Sequence, residues 1–333
     1  MKLVIQIPCF NEEDTLPVTL AELPRKVAGI DDVEWLIIDD GSSDRTVAVA
    51  REHGVDHVVS LTHNQGLARA FTAGLEASLA AGADVIVNTD ADNQYNADDI
   101  AALVEPVLAG TADIVVGERP IAETRHFSAT KKLLQRLGSW VVRRASGTQV
   151  PDAPSGFRAM SRDAALQLNV FSSYTYTLET LIQAGRKNMS ITSVPVRTNP
   201  DLRPSRLLKT ISSYVWRSVA TIVRIFVIYK PFRFFMLLGA FLFSIGVLIG
   251  IRFLFYFAVG EGDGHVQSLI LASVLLGIGF QTILVAFVAD LLAVNRRLLE
   301  ELQYRARKAE LRAPPTDSPG TADAGGSQFR DRG

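Results

Sequence analysis

Two acidic residues, Asp90 and Asp92, have a spacing that suits a metal site. Only the small residue Ala91 separates them, and they follow an apolar run over residues 84–88 that predicts a β-strand. Carboxylates on alternate residues at a strand end can both reach one site, and Mg²⁺ is commonly held by one or two carboxylates together with substrate phosphate oxygens. The pair therefore predicts a site for Mg²⁺ or Mn²⁺, where a bound diphosphate would become a good leaving group.

Motifs that the sequence lacks exclude several other chemistries. No G-x-G-x-x-G follows the first predicted strand and no G-x-x-x-x-G-K-[ST] occurs, which argues against dinucleotide enzymes and P-loop NTPases. G-x-S-x-G is absent, and the five histidines show no metal-ligand spacing. The single cysteine, Cys9, rules out an intrachain disulfide and a multi-cysteine zinc site. A net charge of −1 argues against a nucleic-acid-binding protein.

The acidic pair belongs to a region in which short apolar runs alternate with helical patterns. We expect strands over residues 3–7, 33–38, 57–61, 84–88 and 113–117. We expect helices over residues 12–27, 44–53, 66–81 and 98–108. This alternation predicts an α/β domain with a mainly parallel sheet, in which ligands bind outside the carboxyl ends of the strands.

Polar residues follow each of the five predicted strands. They are Asn11 and Glu12, Asp39 and Asp40, the run 63–66, Asp90 and Asp92, and Glu118 and Arg119. Each set alone has an ordinary explanation, because such residues are common in turns and at helix N-termini. Five sets at one edge of a parallel sheet predict a binding site instead.

Two apolar stretches in the C-terminal part are long enough to cross a membrane. Residues 234–251 and 266–289 are runs of 18 and 24 residues without a charge. Small residues are interspersed in both, as in packed membrane helices, which favours spans over a pair of buried core helices. These stretches explain why the mean hydropathy is +0.19 although 21 % of the residues are charged.

The charges around these stretches predict an orientation. No acidic residue occurs between positions 202 and 260, where seven basic residues precede the first stretch. The linker carries Glu261 and Asp263 without Lys or Arg, and basic residues return after the second stretch. The positive-inside rule therefore predicts cytoplasmic ends in a plasma or inner membrane. The apolar run before Pro8 is too short for a signal peptide.

Seven segments, taken in order along the chain, resemble one enzyme family. They are IPCFNEEDTL, IIDDGSSDRT, HNQGLARAFTAGL, NTDADNQY, VVGER, SGFRA and RPSRL. The pattern resembles the family 2 glycosyltransferases with a GT-A (nucleotide-diphospho-sugar transferase) fold, and within them the polyprenyl-phosphate sugar synthases of the dolichol-phosphate mannose synthase type. The two apolar stretches are similar to the membrane-anchored bacterial branch that makes undecaprenyl-phosphate sugars.

The resemblance implies roles for the residues that match the family motifs. The residues implied in nucleotide binding are Pro8, Phe10, Asn11, Glu12, Asp39, Asp40, Asp90, Ala91 and Gln94. The first four of these line the base and ribose, and either Asp39 or Asp40 contacts the base. Asp90 and Asp92 are implied as the metal ligands. Arg119 is implied to lie near both the donor diphosphate and the acceptor phosphate.

The acceptor that the resemblance implies is a lipid monophosphate, which needs cations close to the bilayer. The candidates are Arg119, Lys131, Lys132, Arg136, Arg203 and Arg206. Arginine can bind phosphate with two hydrogen bonds, and the alternative is general attraction of basic residues to a membrane surface. Two positions depart from the family pattern, because Gln135 stands where relatives have a serine and the RPSR motif lacks a glycine.

The catalytic residues that we predict are Asp92, Arg119 and Asp152. Asp152 is the candidate for a carboxylate that faces the sugar or the acceptor, and Glu179 is a second candidate; either could instead be structural. A phosphate nucleophile has a second pKa of about 6 and needs little general-base help. We therefore expect catalysis to rest on positioning and on metal stabilisation of the leaving diphosphate.

The predicted function is inverting transfer of one sugar from a UDP- or GDP-sugar to a polyprenyl phosphate, such as undecaprenyl phosphate, at the cytoplasmic membrane face. One alternative is a family member that acts on another lipid or glycan, including processive synthases, although Gln135 and Trp140 do not fit the Q-x-x-R-W motif of those enzymes. The other is a non-catalytic membrane protein that binds sugar nucleotides. The sugar and the nucleotide base remain open.

Six units are expected along the chain. They are a cytoplasmic GT-A domain over 1–202, an amphipathic juxtamembrane helix over 203–231, transmembrane helices over 232–257 and 266–290, a charged cytoplasmic helix over 291–311, and a disordered tail over 312–333. The alternative for the amphipathic helix is an ordinary surface helix. The charged helix could contact another copy of the chain, so a homo-oligomer is left open.

Overall fold

The structure is a computed structural model that describes residues 1–120, 150–170, 176–200, 202, 224, 227, 230–260 and 262–311. Its seven strands are β1 (Lys2–Cys9), β2 (Asp32–Asp39), β3 (His57–Ser60), β4 (Val85–Asn88), β5 (Ile114–Glu118), β6 (Arg158–Ser161) and β7 (Ile191–Pro195). The helices around the sheet are α1 (Leu16–Glu22), α2 (Thr46–Glu52), α3 (Leu67–Ala80), α4 (Ile100–Leu108), α5 (Arg162–Gln167) and α6 (Thr177–Arg186). Two long helices follow, α7 (Pro231–Ala258) and α8 (Val266–Glu310).

The seven strands form one sheet in the order β3-β2-β1-β4-β6-β5-β7. All paired strands are parallel except β6, which runs antiparallel to both β4 and β5. Cys9 at the end of β1 lies opposite Asp39 at the end of β2, and Gln6 of β1 lies opposite Asn88 of β4. The segments that follow these strands therefore leave the sheet at one edge, and the predicted α/β fold with a mainly parallel sheet is confirmed.

Helices cover both faces of the sheet, which is why its central strands are almost continuously apolar. One buried cluster joins β1 and β2 to α1, α2 and α4, with Leu16, Val49 and Leu103 as examples from the three helices. The other joins the opposite face to α3, α5 and α6 through residues such as Phe71 and Leu181. The core thus holds the strand ends rigidly in place.

The predicted elements agree with the structure in number more than in extent. Each of the five predicted strands is present within about two residues, but β6 and β7 were not predicted. The helix expected over residues 12–27 is shorter and covers only Leu16–Glu22. Pro24 explains its end, because the residue before a proline avoids helical geometry, and Leu23 is extended with ψ 134°.

The two predicted membrane stretches lie in α7 and α8. These helices run antiparallel in close contact, since a Cβ added at Gly239 would lie 2.8 Å from Cγ1 of Ile283 and one at Gly279 would lie 2.6 Å from the backbone nitrogen of Phe243. Only 11 % and 17 % of their most apolar windows are buried, unlike the core helix of a soluble protein. Helices of this length and composition that expose their apolar surface belong to a membrane protein.

The second long helix continues past its apolar half without a break and packs on the α/β domain. The Tyr304 hydroxyl donates to Oδ1 of Asp163 at 2.9 Å, and Nη1 of Arg307 donates to the Leu168 carbonyl at 3.2 Å. Residues 291–311, expected as a unit of their own, thus lie almost entirely within α8. The tail over 312–333, and nearly all of the predicted amphipathic helix over 203–231, fall outside the described residues.

Candidate active site

The turn after β4 carries the acidic pair and is anchored by its backbone. Asn93 adopts a positive φ of 55°, which reverses the chain directly after Asp92. The buried Ala91 accepts a hydrogen bond at its carbonyl from the Thr19 hydroxyl at 2.9 Å, and the Asn93 carbonyl accepts one from Nδ2 of Asn199 at 3.1 Å. The carboxylates of the pair therefore project from a fixed turn at the carboxyl edge of the sheet.

Asp90 lies against the segment that leads into β6. A Cβ on Gly156 would come within 3.2 Å of both carboxylate oxygens of Asp90, so this close approach depends on the missing side chain. Burial and the negative charge of Asp92 raise the pKa of Asp90 to about 7, although the positive charge of Arg119 opposes the shift. The two acids thus concentrate negative charge at one point.

This charge distribution suits a divalent cation. Among the described residues there is no group of three or more His, Cys, Asp or Glu that could hold a metal. A pair of carboxylates leaves most coordination positions to waters and substrate oxygens, which is the usual way that Mg²⁺ is bound with a phosphate ligand. The donor set of Asp90 and Asp92 therefore fits a cation that is shared with a bound diphosphate.

Arg119 stands beside the acidic pair and is held by Asp152. Its Nε and Nη2 atoms donate to the two carboxylate oxygens of Asp152 at 2.7 and 3.0 Å, and its backbone nitrogen donates to the same group at 3.3 Å. The Arg119 side chain is 14 % exposed and that of Asp152 only 1 %. Burial alone would lower the pKa of Arg119. The effects of Tyr95, Asp152 and Asp90 are larger, so the pKa lies above its usual value. Asp152 therefore lies behind Arg119 rather than at the surface of the site.

Arg158 is a buried cation that holds the segment between Asp152 and β6. Its Nε donates to the Ser155 carbonyl at 2.9 Å, Nη2 to the Ala153 carbonyl at 2.7 Å, and Nη1 to the Thr180 hydroxyl at 2.7 Å. Burial lowers its pKa to about 10. Because these bonds fix residues 153–155, Arg158 determines where Asp152 stands.

A chain of buried polar groups supports the site from below. Nε2 of Gln6 donates to Oδ1 of Asn88 at 2.9 Å, and Nδ2 of Asn88 donates to both the Gly156 carbonyl and the Tyr176 hydroxyl at 2.9 Å. The Gly156 N–H donates to the Tyr95 hydroxyl at 3.2 Å. Burial raises the pKa of both tyrosines, so both stay neutral and able to form these bonds.

The loops after β1 and β2 bind each other. The Asn11 N–H donates to the Ser42 hydroxyl and the Ser43 N–H donates to Oδ1 of Asn11, both at 2.9 Å, with Asn11 at a positive φ of 54°. Glu12 is buried and accepts a hydrogen bond from the Thr15 hydroxyl at 2.7 Å. Phe10 is 39 % exposed at the rim of the same loop, where an aromatic face is available for stacking.

Asp39 and Asp40 have different environments. Both oxygens of Asp40 accept hydrogen bonds from backbone N–H groups, of Gln65 at 2.7 Å and of Gly66 at 2.8 Å, which closes the loop before α3. For Asp39, one oxygen accepts from the Ser42 N–H at 2.9 Å. Pro8 is buried within β1. Both oxygens of Asp40 therefore hold the loop in place, and Asp39 is the better placed of the two to bind a ligand.

Most of the predicted site residues meet at one edge of the sheet. They are Phe10, Asn11, Glu12, Asp39, Asp40, Asp90, Ala91, Asp92, Gln94, Arg119 and Asp152. Glu179 lies elsewhere, on α6, with its Oε1 3.9 Å from Nη2 of Arg296 on α8. The acceptor candidates Lys131, Lys132, Arg136, Arg203 and Arg206 fall outside the described residues.

Three residues that matter for this geometry were not predicted: Arg158, Tyr95 and Tyr176. Arg158 occurs in the SGFRA segment. The signal that could have identified it is its position between the apolar residues Phe157 and Ala159, where a buried charge would need hydrogen-bond partners. The tyrosines carry no local signal, because their importance comes from hydrogen bonds to Gly156 and Asn88, which are distant in sequence.

A fold with a parallel sheet, an acidic pair after β4 and a fixed arginine beside it defines a glycosyltransferase domain of the GT-A type. Residues 4–168 match the family described as glycosyl transferase family 2. The chain belongs to this family and is a glycosyltransferase. The family resemblance predicted from the motifs is thereby confirmed.

Relatives and solved structures agree with this assignment. An undecaprenyl-phosphate mannosyltransferase of Micrococcus luteus is 31 % identical over 206 residues, 59 % of this chain and 83 % of the relative. A UDP-N-acetylglucosamine–dolichyl-phosphate N-acetylglucosaminyltransferase of Methanococcus voltae is 30 % identical over 216 residues, 58 % of this chain and 83 % of the relative. Glucosyl-3-phosphoglycerate synthase of Mycobacterium tuberculosis, solved with Mn²⁺ and UDP, shares the fold at a TM-score of 0.53 and 21 % identity, covering 68 % of this chain and 78 % of that one.

Proposed function

We propose that the protein transfers one sugar from a nucleotide-diphosphate sugar to a polyprenyl phosphate at the cytoplasmic face of a membrane. The observation that carries this proposal is the position of Arg119 next to Asp90 and Asp92. Arg119 is largely buried and makes two parallel hydrogen bonds to Asp152, and its domain packs on the helix α8. The two curated relatives bear names that specify undecaprenyl phosphate and dolichyl phosphate as acceptors, which supports an isoprenoid phosphate here.

The donor half of the site is proposed to bind a nucleotide and its diphosphate. Phe10, Asn11 and Glu12, with Pro8 behind them, line the base and ribose, Asp39 contacts the base, and Asp40 holds the loop. Asp90 and Asp92 hold a divalent cation, Mg²⁺ or Mn²⁺, and Ala91 and Gln94 shape the turn. The cation neutralises the charge that develops on the leaving diphosphate. The use of Mn²⁺ by a structural neighbour is consistent with this donor set.

The acceptor half is proposed to present a phosphate oxygen in line with the anomeric carbon, so that one displacement inverts the configuration. Arg119 binds phosphate oxygens with a guanidinium whose orientation Asp152 fixes. The pairing and burial of Asp152 support this positioning role in place of direct contact with sugar or acceptor. Lys131, Lys132, Arg136, Arg203 and Arg206 remain our candidates for holding the lipid phosphate.

The orientation of the helices is also part of the proposal. Lys230 and Arg233 stand at the start of α7, and Arg296 and Arg297 follow the apolar half of α8, whereas the linker between the helices carries only acidic charge apart from His265. By the positive-inside rule the α/β domain and both ends of the helix pair lie in the cytoplasm. The donor site then faces the compartment in which nucleotide sugars are made.

A donor panel tests the proposed function directly. Full-length protein in detergent or nanodiscs is incubated with single UDP- and GDP-sugars, Mg²⁺ or Mn²⁺, and either undecaprenyl phosphate or undecaprenol. We expect a lipid-linked sugar with one or few donors and only with the phosphorylated acceptor. Transfer to undecaprenol, or to added glycan but not to undecaprenyl phosphate, would assign the enzyme to another acceptor class. Donor binding without any transfer would favour a non-catalytic protein.

A further inference from the structure

The part of α8 beyond the membrane stretch has two different faces. Arg296, Glu300 and Tyr304 lie on the side that contacts the α/β domain. Leu291, Leu298 and Leu302 are between 60 and 67 % exposed. At 3.6 residues per turn these leucines fall within about 40° of one another, and they are centred about 180° from the contacting side. The helix therefore carries an apolar stripe on its outer face.

Lipid tails cannot cover the lower part of this outer stripe. Leu298 lies between Arg296 and Glu300, which reach Glu179 and Lys187 of the α/β domain. Leu302 is next to Tyr304, whose hydroxyl bonds the α/β domain. The stripe thus extends into the layer occupied by the soluble domain. This part of α8 contacts the α/β domain through polar side chains, and an apolar face on its outer side that is exposed to water indicates a protein partner.

The spacing of the outer stripe is that of a coiled coil. Val288, Leu291, Asn295, Leu298 and Leu302 follow one another at intervals of three, four, three and four residues. This pattern places valine, asparagine and leucine at successive a positions and leucines at the d positions between them. A single asparagine at an a position is the device by which parallel coiled coils select their register. Arg305, at the next d position, ends the stripe.

A second copy of the chain is the partner that fits this stripe. Two copies inserted in one bilayer with the same orientation hold their α8 helices parallel and at the same height, so that Asn295 meets Asn295 and each leucine meets its counterpart. The flanking e and g positions hold Leu292, Val294, Leu299, Glu301 and Ala306, and Glu301 at g faces Ala306 at e of the other copy, so no like charges oppose each other there. We propose that α8 pairs in parallel with α8 of a second copy through the face from Leu291 to Leu302.

The membrane explains how such a short stripe can be sufficient. Fewer than two heptads form a marginal coiled coil in water, because helix nucleation and association both cost entropy. Here the helix is already formed as a continuation of the membrane stretch, and insertion in a bilayer raises the effective concentration of the partner. Association then requires burial of only a few leucines per chain.

Cysteine cross-linking in membranes tests the register of the pair. Cys9 is buried, so a cysteine introduced on α8 is the accessible thiol. Full-length Asn295→Cys is compared with Gln303→Cys, an exposed b position that points away from the stripe. We expect Asn295→Cys to form a disulfide-linked dimer at least about tenfold faster upon mild oxidation. Equal rates at the two positions, or no dimer from Asn295→Cys, would overturn the proposal.

A second pair of variants separates association from folding. Leu298→Gln with Leu302→Gln should lower the dimer fraction, measured by single-molecule photobleaching in liposomes, and weaken association by at least about tenfold. Gln303→Ala should leave it unchanged. The melting temperature of the Leu298→Gln, Leu302→Gln protein should stay close to that of the parent. A lower melting temperature with an unchanged dimer fraction would show that another segment of the same chain covers the stripe, against the proposal.

Discussion

The two halves of the sheet edge hold their charged groups in opposite ways. In the half formed by β1, β2 and β4, carboxylates such as Asp39 and Asp92 bond backbone N–H groups within their own turns. In the other half, Arg119 is held by Asp152, which is distant in sequence, and Arg158 is held by the neighbouring Ser155 and Ala153 carbonyls and by the more distant Thr180 hydroxyl. Asp39 and Asp92 are thus held within local turns, whereas each arginine has at least one partner that is distant in sequence.

This contrast has an energetic consequence. Asp92 is a partly exposed carboxylate that retains part of its hydration, so its loss removes a ligand but leaves the fold intact. A buried guanidinium has lost its hydration and depends on complete pairing, because an unpaired buried charge or acceptor costs several kcal/mol. Substitution of Asp92 should therefore change catalysis alone, and substitutions of Arg119, Asp152 or Arg158 should change catalysis and stability together.

The largest effect on activity is expected from Asp92→Asn. The substitution keeps the shape but removes one of two charges that would bind the cation, so metal-dependent transfer should fall by about a thousandfold with an unchanged melting temperature. Radiolabelled sugar transfer by the full-length protein measures it. Asp14→Asn, at an exposed position of the loop between β1 and α1, is the matched control and should retain activity. Near-normal turnover by Asp92→Asn would remove the acidic pair from the mechanism.

Arg119→Lys tests the two parallel hydrogen bonds by which Asp152 holds Arg119 beside the acidic pair. Lysine keeps the charge but cannot make two parallel bonds to Asp152, so kcat should fall by about a hundredfold. Asp152→Asn should lower kcat comparably, and it should also destabilise the fold because it removes the charge that pairs the buried Arg119. The double variant should lose much less than the sum of both effects if the residues act as a unit. Additive losses would mean that Asp152 acts independently of Arg119.

Arg158→Met tests whether the buried cation holds the loop. The variant leaves the Ser155 and Ala153 carbonyls unpaired, so the free energy of unfolding should fall by about 2–4 kcal/mol, with a loss of activity that follows the displacement of Asp152. Denaturant titration of the full chain measures it. Arg162→Met is the control, since Arg162 makes a 3.3 Å bond to the Ala83 carbonyl at the domain edge, and it should cost less than about 1 kcal/mol.

The raised pKa of Asp90 predicts a pH dependence of metal binding. Below pH 7 the carboxyl group is increasingly protonated, and a cation must displace that proton, so affinity should fall by up to about tenfold per pH unit below the pKa of about 7 and level off above it. The metal-free fold should respond in the opposite sense. Its folded state binds the proton more tightly than the unfolded chain, so stability gains as the pH falls from 7 toward 4.

Titration of Mn²⁺ by electron paramagnetic resonance between about pH 5.5 and 8 measures this dependence. Asp90→Asn serves as the control, because it removes the titrating group and should bind weakly with a nearly flat profile. An equally steep profile in Asp90→Asn would assign the proton to another group. The effect of pH is smaller than that of the substitutions above, since it changes only the fraction of protein that has metal bound.

The smallest effect is expected from Glu179→Gln. This residue lies on α6, and its contact with Arg296 of α8 is long at 3.9 Å. Transfer activity should therefore change by about threefold or less. Glu301→Gln, which removes an exposed pair with Arg305 on α8, is the control. A loss comparable with that of Asp92→Asn would place Glu179 in the reaction.

The same contrast explains how much of the site could be predicted from sequence. The carboxylate half follows from local signals: strands with apolar runs, then Asp, Asn and Gly in turns, as at Asp39 and Asp90. Such signals lie within a few neighbouring residues, so the amino-acid sequence alone predicts where these carboxylates gather. The roles of Asp152 and Arg158 depend on which distant groups reach them, and no pattern of spacing encodes that.

The prediction of the fold from sequence has the same limit. The five predicted strands have clear apolar runs, whereas β6 (Arg158–Ser161) begins with a charged residue and has only four residues, too few to show a period. The sequence predicts helix on both sides of residue 290, and the division into two units there follows composition alone. Asp290 and the charges after it suggest a boundary in composition, but nothing there breaks the backbone, and good helix formers continue to Glu310.

The unbroken course of α8 fixes the distance between its apolar half and the α/β domain. Its 45 residues extend about 67 Å, and the same rigid rod that crosses the apolar layer also bears on α5 and α6. The height of the sheet edge over the bilayer is then set by the number of helical residues rather than by a hinge. An acceptor whose reactive group lies at another depth would miss that edge, whatever its affinity. In the proposed reaction, the number of helical residues in α8 therefore limits which lipid phosphates can reach the site.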